Sequence, residues 1–233
     1  MTPLLVATGL AMSGRLAPLD LSLPPGTMTA IIGPNGSGKT SLLRSLARID
    51  RPDGSVWIGG ENVDRLLPTR RAAVLGFLPA AREMIWPIVV RDLVALGLQR
   101  PDSGRVDALL EELELAPLAD RQADRLSTGE RVRALLARVL APRPSVLLLD
   151  EPLSNLDPYW VMTILQVLRD AADEGAAVLV TLHDLHLLDA FDRVLMMNRG
   201  LMVSDAAPDV TIQGSSFADT FRVEPNGPRW RLR

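Results

Sequence analysis

The chain has 233 residues, of which 47% are hydrophobic and 23% charged, a composition that builds a real core and excludes extended disorder. Its formal net charge of −3, from 25 basic and 28 acidic residues, gives no broad electrostatic case for a nucleic-acid partner. It contains no cysteine, so disulfides and thiolate metal sites are excluded, which fits a reducing compartment.

The opening Met1-Thr2-Pro3-Leu4-Leu5 lacks a basic region followed by an apolar block, so no signal peptide is expected. Thr29–Ile32 reads as a buried strand entering a glycine-rich turn. From Lys39, the residues Leu42, Leu43, Leu46 and Ala47 have helical spacing, and Pro52-Asp53-Gly54 is the expected stop. Ser55–Ile58, with its turn Gly59-Gly60, and Val74–Leu78 read as further strands. From about Val89 to Leu140 the pattern changes to amphipathic helices, clearest over Arg105–Leu115 and Glu130–Leu140. Val146–Asp150 returns to strand, Trp160–Glu174 to helix and Ala177–Thr181 to strand, while the stretch from Pro208 onward is the least readable. No run approaches the roughly 20 apolar residues that span a bilayer. Strands alternating with helices predict one α/β domain over residues 1–233. Its mostly parallel sheet is covered on both faces, and a helical subdomain is inserted at about residues 83–143.

Gly33-Pro34-Asn35-Gly36-Ser37-Gly38-Lys39-Thr40 fits the pattern G-x-x-x-x-G-K-[ST] of a phosphate-binding loop. Glycines let successive backbone N–H groups point at phosphate oxygens, and the helix that follows adds its positive dipole end. Lys39 is placed to reach β- and γ-phosphates and Thr40 to ligate Mg²⁺, with Ser41 next in the same nucleotide-binding set. A glycine-rich surface turn can carry a lysine by chance, but the strand before and the helix after are the context that the motif demands.

Val146–Leu149 is an apolar run that ends in the adjacent carboxylates Asp150 and Glu151. Asp150 can hold Mg²⁺ at the carboxyl end of the strand, and Glu151 is then placed to polarise an attacking water. Leu126-Ser127-Thr128-Gly129-Glu130 directly precedes an arginine-bearing helix. Ser127 and Gly129 there offer a hydroxyl and N–H groups to an anion, although an ordinary capped helix looks the same.

Together with Ser154-Asn155-Leu156-Asp157 and Thr181-Leu182-His183-Asp184, these segments, in this order, resemble the motifs of the ABC transporter ATPases. The likeness covers nearly the whole chain. It implies a P-loop NTPase core with an N-terminal antiparallel β portion, and ATP and Mg²⁺ as ligands. It implies a head-to-tail homodimer in which Ser127, Gly129 and Glu130 meet nucleotide held by the other copy. Asp157 then lies on the loop that crosses the dimer interface, and His183 contacts the γ-phosphate. Leu126–Glu130 corresponds to the family signature LSGGQ, with Thr128 and Glu130 at two of its positions. His186 reads as structural.

Two departures from the family pattern stand out. In Leu75-Gly76-Phe77-Leu78-Pro79-Ala80 the family's glutamine after proline is replaced by Ala80, which has neither donor nor acceptor. Slow hydrolysis, or coupling through other residues, is the expectation. Ala11-Met12-Ser13-Gly14-Arg15 also lacks the aromatic residue on which the family stacks adenine. Base stacking is worth about 1–3 kcal/mol, so weaker or less base-selective binding is expected.

Trp86–Leu98, the compact opening Gly14–Leu19 and the ending Phe217–Val223 with Arg229–Leu232 resemble ATPases that import iron–siderophore, haem or cobalamin, and zinc and manganese importers have related segments. The resemblance implies two copies at the cytoplasmic face of a bacterial inner membrane, below a pair of permease subunits, with an external solute-binding protein delivering a metal chelate. The surface around Ala80–Val90 would receive a permease coupling helix, with Met84, Ile85 and Trp86 as a candidate contact patch. The alternative is a soluble or regulatory ABC-type ATPase with weak turnover, for which Ala80 is the argument. A nucleotide kinase would share the phosphate loop but would not need Leu126–Glu130 or His183.

Overall fold

The structure, a computed structural model, describes residues 2–81, 87–226 and 229–232. The candidate patch Met84, Ile85 and Trp86 lies outside the described residues. In chain order the elements begin with β1 (Leu5–Met12), β2 (Leu16–Leu23), β3 (Thr27–Ile32), α1 (Lys39–Leu46), β4 (Asp53–Ile58) and β5 (Glu61–Asn62). They continue with α2 (Pro68–Val74), β6 (Leu75–Leu78), α3 (Val90–Ala95), α4 (Ser103–Glu112), α5 (Thr128–Leu140) and β7 (Val146–Leu149). Next come α6 (Pro158–Asp173), β8 (Ala177–Thr181), β9 (Arg193–Asn198) and β10 (Leu201–Ala206), and the chain finishes with α7 (Pro208–Gln213), α8 (Ser215–Phe221) and the hairpin β11 (Val223–Asn226) and β12 (Arg229–Leu232).

The central sheet has the order β10-β9-β3-β8-β7-β6, parallel except for β10 at its edge. A four-stranded antiparallel sheet, β2-β1-β4-β5, lies apart from it. The expected parallel core and N-terminal antiparallel portion are both present.

Side chains alternate across a strand, so each central strand serves two cores. Ala30, Ile32, Leu147, Leu149, Val178 and Val180 face the core built with α3, α4, α5 and α6. Ile31, Leu148, Leu179 and Leu195 face the second core, built with α1 and strands β1, β2 and β4. Burial on both faces is why these strands read as continuous apolar runs rather than alternating ones.

Some boundaries differ from the sequence expectation. Val74 ends α2 instead of opening a strand, because β6 pairs with β7 only from Leu75↔Val146 onward. Asp53 opens β4 rather than stopping a helix; α1 has already ended at Leu46, and Asp53 pairs with Ala11 of β1. The expected helix over Arg105–Leu115 is α4, which ends at Glu112 and is followed by Glu114 at φ +49°.

The segment between β6 and β7, neighbouring strands of the sheet, carries α3, α4 and α5. The packing there is tight: a Cβ on Gly97 would meet the Arg138 carbonyl oxygen at 2.1 Å.

Candidate active site

The site lies where β3, β7 and β8 end. After Ile32 the chain turns at Gly33, whose φ is +150°, and a Cβ there would meet the Met197 carbonyl oxygen at 2.2 Å and Ser37 Oγ at 2.6 Å. Only glycine fits that approach. Gly38 precedes α1 in a left-handed conformation, with φ 106°. The loop is braced from outside: Gly200 N–H, in the β9–β10 turn, donates to the Ser37 carbonyl at 2.8 Å.

Lys39 folds back over this loop, its Nζ donating to the Gly33 carbonyl at 2.7 Å and the Pro34 carbonyl at 3.2 Å. The side chain is buried, which lowers the ammonium pKa from its ordinary value, while Glu151 and Asp150 oppose that shift electrostatically. A cation held against two carbonyl oxygens beside two carboxylates is a ready partner for phosphate.

The parallel register of β7 and β8 pairs Leu149 with Val180 and so sets Asp150 beside Thr181 one step further on. Thr181 Oγ1 donates to Asp150 Oδ1 at 2.8 Å and accepts from the Glu151 backbone N–H at 2.7 Å. Asp150 and Thr181 are each 1% exposed. Glu151 sits at φ +53°, a left-handed conformation that is uncommon for a residue with a side chain. Its Oε1 lies 2.7 Å from His183 Nε2.

One cavity of about 950 Å³ gathers Asn35, Gly36, Ser37, Gly38, Lys39, Thr40, Ser41, Glu151 and His183. Gly33, Pro34 and Asp150 are not in that lining but touch it or its supports: the Gly33 and Pro34 carbonyls accept from Lys39, and Asp150 accepts from Thr181. The buried Ser37 hydroxyl has no hydrogen-bond partner, an orphaned donor at the cradle that a phosphate oxygen would satisfy.

The far end of the cavity is lined by Ala11, Met12, Ser13, Gly14, Arg15 and Asp53, without an aromatic ring. Among the described residues no cluster of three acidic, histidine or cysteine side chains could hold a metal by itself. Mg²⁺ does not need one, since it takes one or two protein oxygens together with phosphate oxygens and water. The hard oxygen donors of Thr40 and Asp150 fit that requirement.

Ser127, Gly129, Glu130 and Asp157 are not among the residues lining this cavity. Ser127 caps α5 in a reciprocal capping box: its Oγ accepts from Glu130 N–H at 3.3 Å, and Glu130 Oε2 accepts from Ser127 N–H at 2.7 Å. That second bond is the main reason the Glu130 carboxyl titrates below its ordinary value. Asp157 caps α6, its Oδ1 accepting from Trp160 N–H at 3.1 Å.

In the sequence Thr181 figures only as a strand end and the first residue of Thr181-Leu182-His183-Asp184. Its bridge to Asp150 and Glu151 depends on the register of β7 and β8, and the Gly200 brace on a contact between distant turns.

The ABC transporter family matches residues 16–154. The hemin import ATP-binding protein HmuV of Chelativorans sp. (strain BNC1) is 34% identical over 232 residues, covering 91% of this chain and 90% of that protein. HmuV of Rhizobium meliloti (strain 1021) is 38% identical, covering 90% of this chain and 87% of that protein. A nucleotide-free ATP-binding cassette from an ABC transporter superposes with a TM-score of 0.81 at 20% identity, covering 94% of this chain and 99% of that one. A dimeric post-hydrolysis cassette bound to ADP and Pi gives 0.78 at 22% identity, covering 88% and 98%.

Proposed function

Because this chain belongs to the ABC transporter family as an ATP-binding, ATP-hydrolysing subunit, we propose that it energises import of a metal chelate, with haem foremost. The chelate rests on the relatives named for hemin import, which match about nine-tenths of the chain. The chemistry rests on one observation: Lys39, Glu151 and His183 line one cavity with the phosphate loop, Glu151 and His183 in direct contact, and Thr181 ties Asp150 to the Glu151 backbone.

The residues divide the work. Backbone N–H groups of Gly33–Thr40 and the start of α1 receive the phosphates, and Lys39 exchanges a carbonyl contact for oxygens of the β- and γ-phosphates. Thr40 and Asp150 are the side chains that would hold Mg²⁺, which when bound neutralises phosphate charge. Glu151 accepts a proton from water as the water oxygen attacks the γ-phosphorus and the bond to the β-phosphate bridging oxygen breaks. His183 orients the Glu151 carboxylate and reaches the γ-phosphate. Thr181 fixes Asp150 and the Glu151 backbone relative to each other.

The capped ends at Ser127, Gly129 and Glu130, and at Asp157, serve the nucleotide of a second copy in a head-to-tail dimer. Their position away from the chain's own cavity supports this reading. Dimer closure on two ATP molecules, and reopening when phosphate leaves, supplies the stroke. The helices inserted at about 83–143 form the subdomain that carries Ser127 into place.

Permease subunits at the cytoplasmic face of the membrane are the receiving partners, fed by an external solute-binding protein. No described helix is long and apolar enough to cross a membrane. Ile49, Leu67 and Leu96 are among the exposed apolar side chains, at 44%, 72% and 66%, and we read their segments as the docking face. Their segments are tied together where Arg71 donates to the Ala47 carbonyl and Gln99 to the Thr69 carbonyl.

The proposal is tested by reconstituting the chain with its copurifying membrane subunits and measuring ATP-driven haem uptake. Uptake that needs ATP and is lost with Lys39→Ala supports it. A functional complex that moves another solute and ignores haem contradicts the chelate assignment.

A further inference from the structure

Behind the capped end of α5, Arg133 is buried at 6% exposure, and its guanidinium carbon lies 3.5 Å from the centroid of the Trp160 ring. One of its nitrogens donates to the Leu113 carbonyl at 2.6 Å and the Glu114 carbonyl at 3.0 Å, which close the end of α4. Its Nε is buried without a partner, so the stack and those two carbonyls hold the side chain. Tyr159, edge-on to Trp160 with centroids 5.0 Å apart, donates its hydroxyl to Glu114.

Trp160 stands in the first turn of α6, and its own N–H is the one that Asp157 caps. Arg133 stands on α5 one turn beyond Glu130. Burial lowers the guanidinium pKa, and Glu130, Glu114 and Asp157 oppose that shift electrostatically. A second contact runs parallel to the stack: a Cβ on Gly129 would meet Leu156 Cδ2 at 3.3 Å, so a larger residue there would press on the loop before α6.

We infer that Arg133 and Trp160 are positioning residues whose stack joins the turn Leu126–Glu130 to the loop Ser154–Asp157 of the same chain, so that both meet a second copy's nucleotide as one body. The inference rests on the head-to-tail reading above. Arginine suits the role because its planar cation stacks on an aromatic face while its fork still reaches two carbonyls. Separate hinges for the two segments would let one arrive without the other. One joint makes their arrival a single event.

The test measures ATP-dependent dimerisation by light scattering, with ADP affinity measured alongside as the readout of the chain's own phosphate loop. Glu151→Gln is the parent, to suppress turnover. Adding Trp160→Leu should leave ADP affinity within about twofold and weaken dimerisation by about thirtyfold, the scale of one desolvated cation–π contact. Trp160→Phe should restore dimerisation, and Arg133→Lys, which keeps the charge but loses the planar stack, should repeat the defect.

Dimerisation unchanged in both Trp160→Leu and Arg133→Lys would overturn the inference. So would ADP affinity falling in step with dimerisation, because that marks a merely structural role. Failure of the Glu151→Gln parent itself to dimerise on ATP would overturn the head-to-tail reading and this inference with it.

Discussion

His183 Nε2 lies 2.7 Å from Glu151 Oε1, and Glu151 is held at φ +53° with its N–H bonded to the Thr181 hydroxyl. Glu151, the proposed base, and His183, proposed to orient it, thus come from the ends of two neighbouring strands, β7 and β8. Their rigidity comes from the sheet rather than from the loops that carry them. Glu151→Gln should bind ATP yet turn it over about 10²–10⁴-fold more slowly, the usual worth of a positioned general base. His183→Ala should cost a similar factor. Because the two act as a unit, the double variant should be little worse than either single one when steady-state ATPase rates are compared. Multiplicative losses would separate their roles.

The Thr181 hydroxyl bridges Asp150 and the Glu151 backbone inside the core, so Thr181→Val removes a donor and an acceptor at once. Leaving the Asp150 oxygen and the Glu151 N–H without it should cost about 1–3 kcal/mol of stability for each group that finds no replacement. Thermal unfolding should show a lower midpoint. The variant should also need more Mg²⁺ for half-maximal ATPase, since Asp150 loses the bond that aims it. Unaltered Mg²⁺ dependence would limit Thr181 to a structural role.

At Ala80, just beyond β6, the side chain offers no polar group to the site. Ala80→Gln should raise the ATPase rate several-fold if hydrolysis is held back by that missing amide. A variant with the parent's ATPase and transport rates would show that other residues have taken over.

The capping box of α5 gives a pH signature. Glu130's folded pKa is depressed, so its contribution is present above the unfolded carboxyl value of about 4.3 and is lost as pH falls through the lower folded value. The unfolding midpoint of the wild type should exceed that of Glu130→Ala at neutral pH, and the gap should close in acid. A gap that persists at low pH would mean that the neutral carboxyl caps as well as the ionised one.

Much of this site is legible in the sequence, because its parts are contiguous. Thr27–Thr40 runs from strand through loop to helix, and Val146–Glu151 from strand to its two carboxylates, each in one short run. What lies across the fold is not legible. Thr181 acquires its role only when β8 pairs in parallel with β7, and the Arg133–Trp160 stack joins helices whose sequences announce only amphipathic faces. Asp53 carries a turn-like pattern in Pro52-Asp53-Gly54, yet pairing with Ala11 makes it the first residue of β4. The C-terminal elements β9 to β12, α7 and α8 follow the same rule: short and without strong periodicity, they are set by what they pack against.

ATP hydrolysis through Lys39 and Glu151 is the expectation on which the other activity predictions depend. It is tested most directly by the Mg·ATPase activity of the purified chain beside Lys39→Ala and Glu151→Gln, with ATP binding measured on the same samples. Turnover is expected in the wild type, loss of both binding and turnover in Lys39→Ala, and binding without turnover in Glu151→Gln. Wild-type turnover that survives in Glu151→Gln would contradict that expectation.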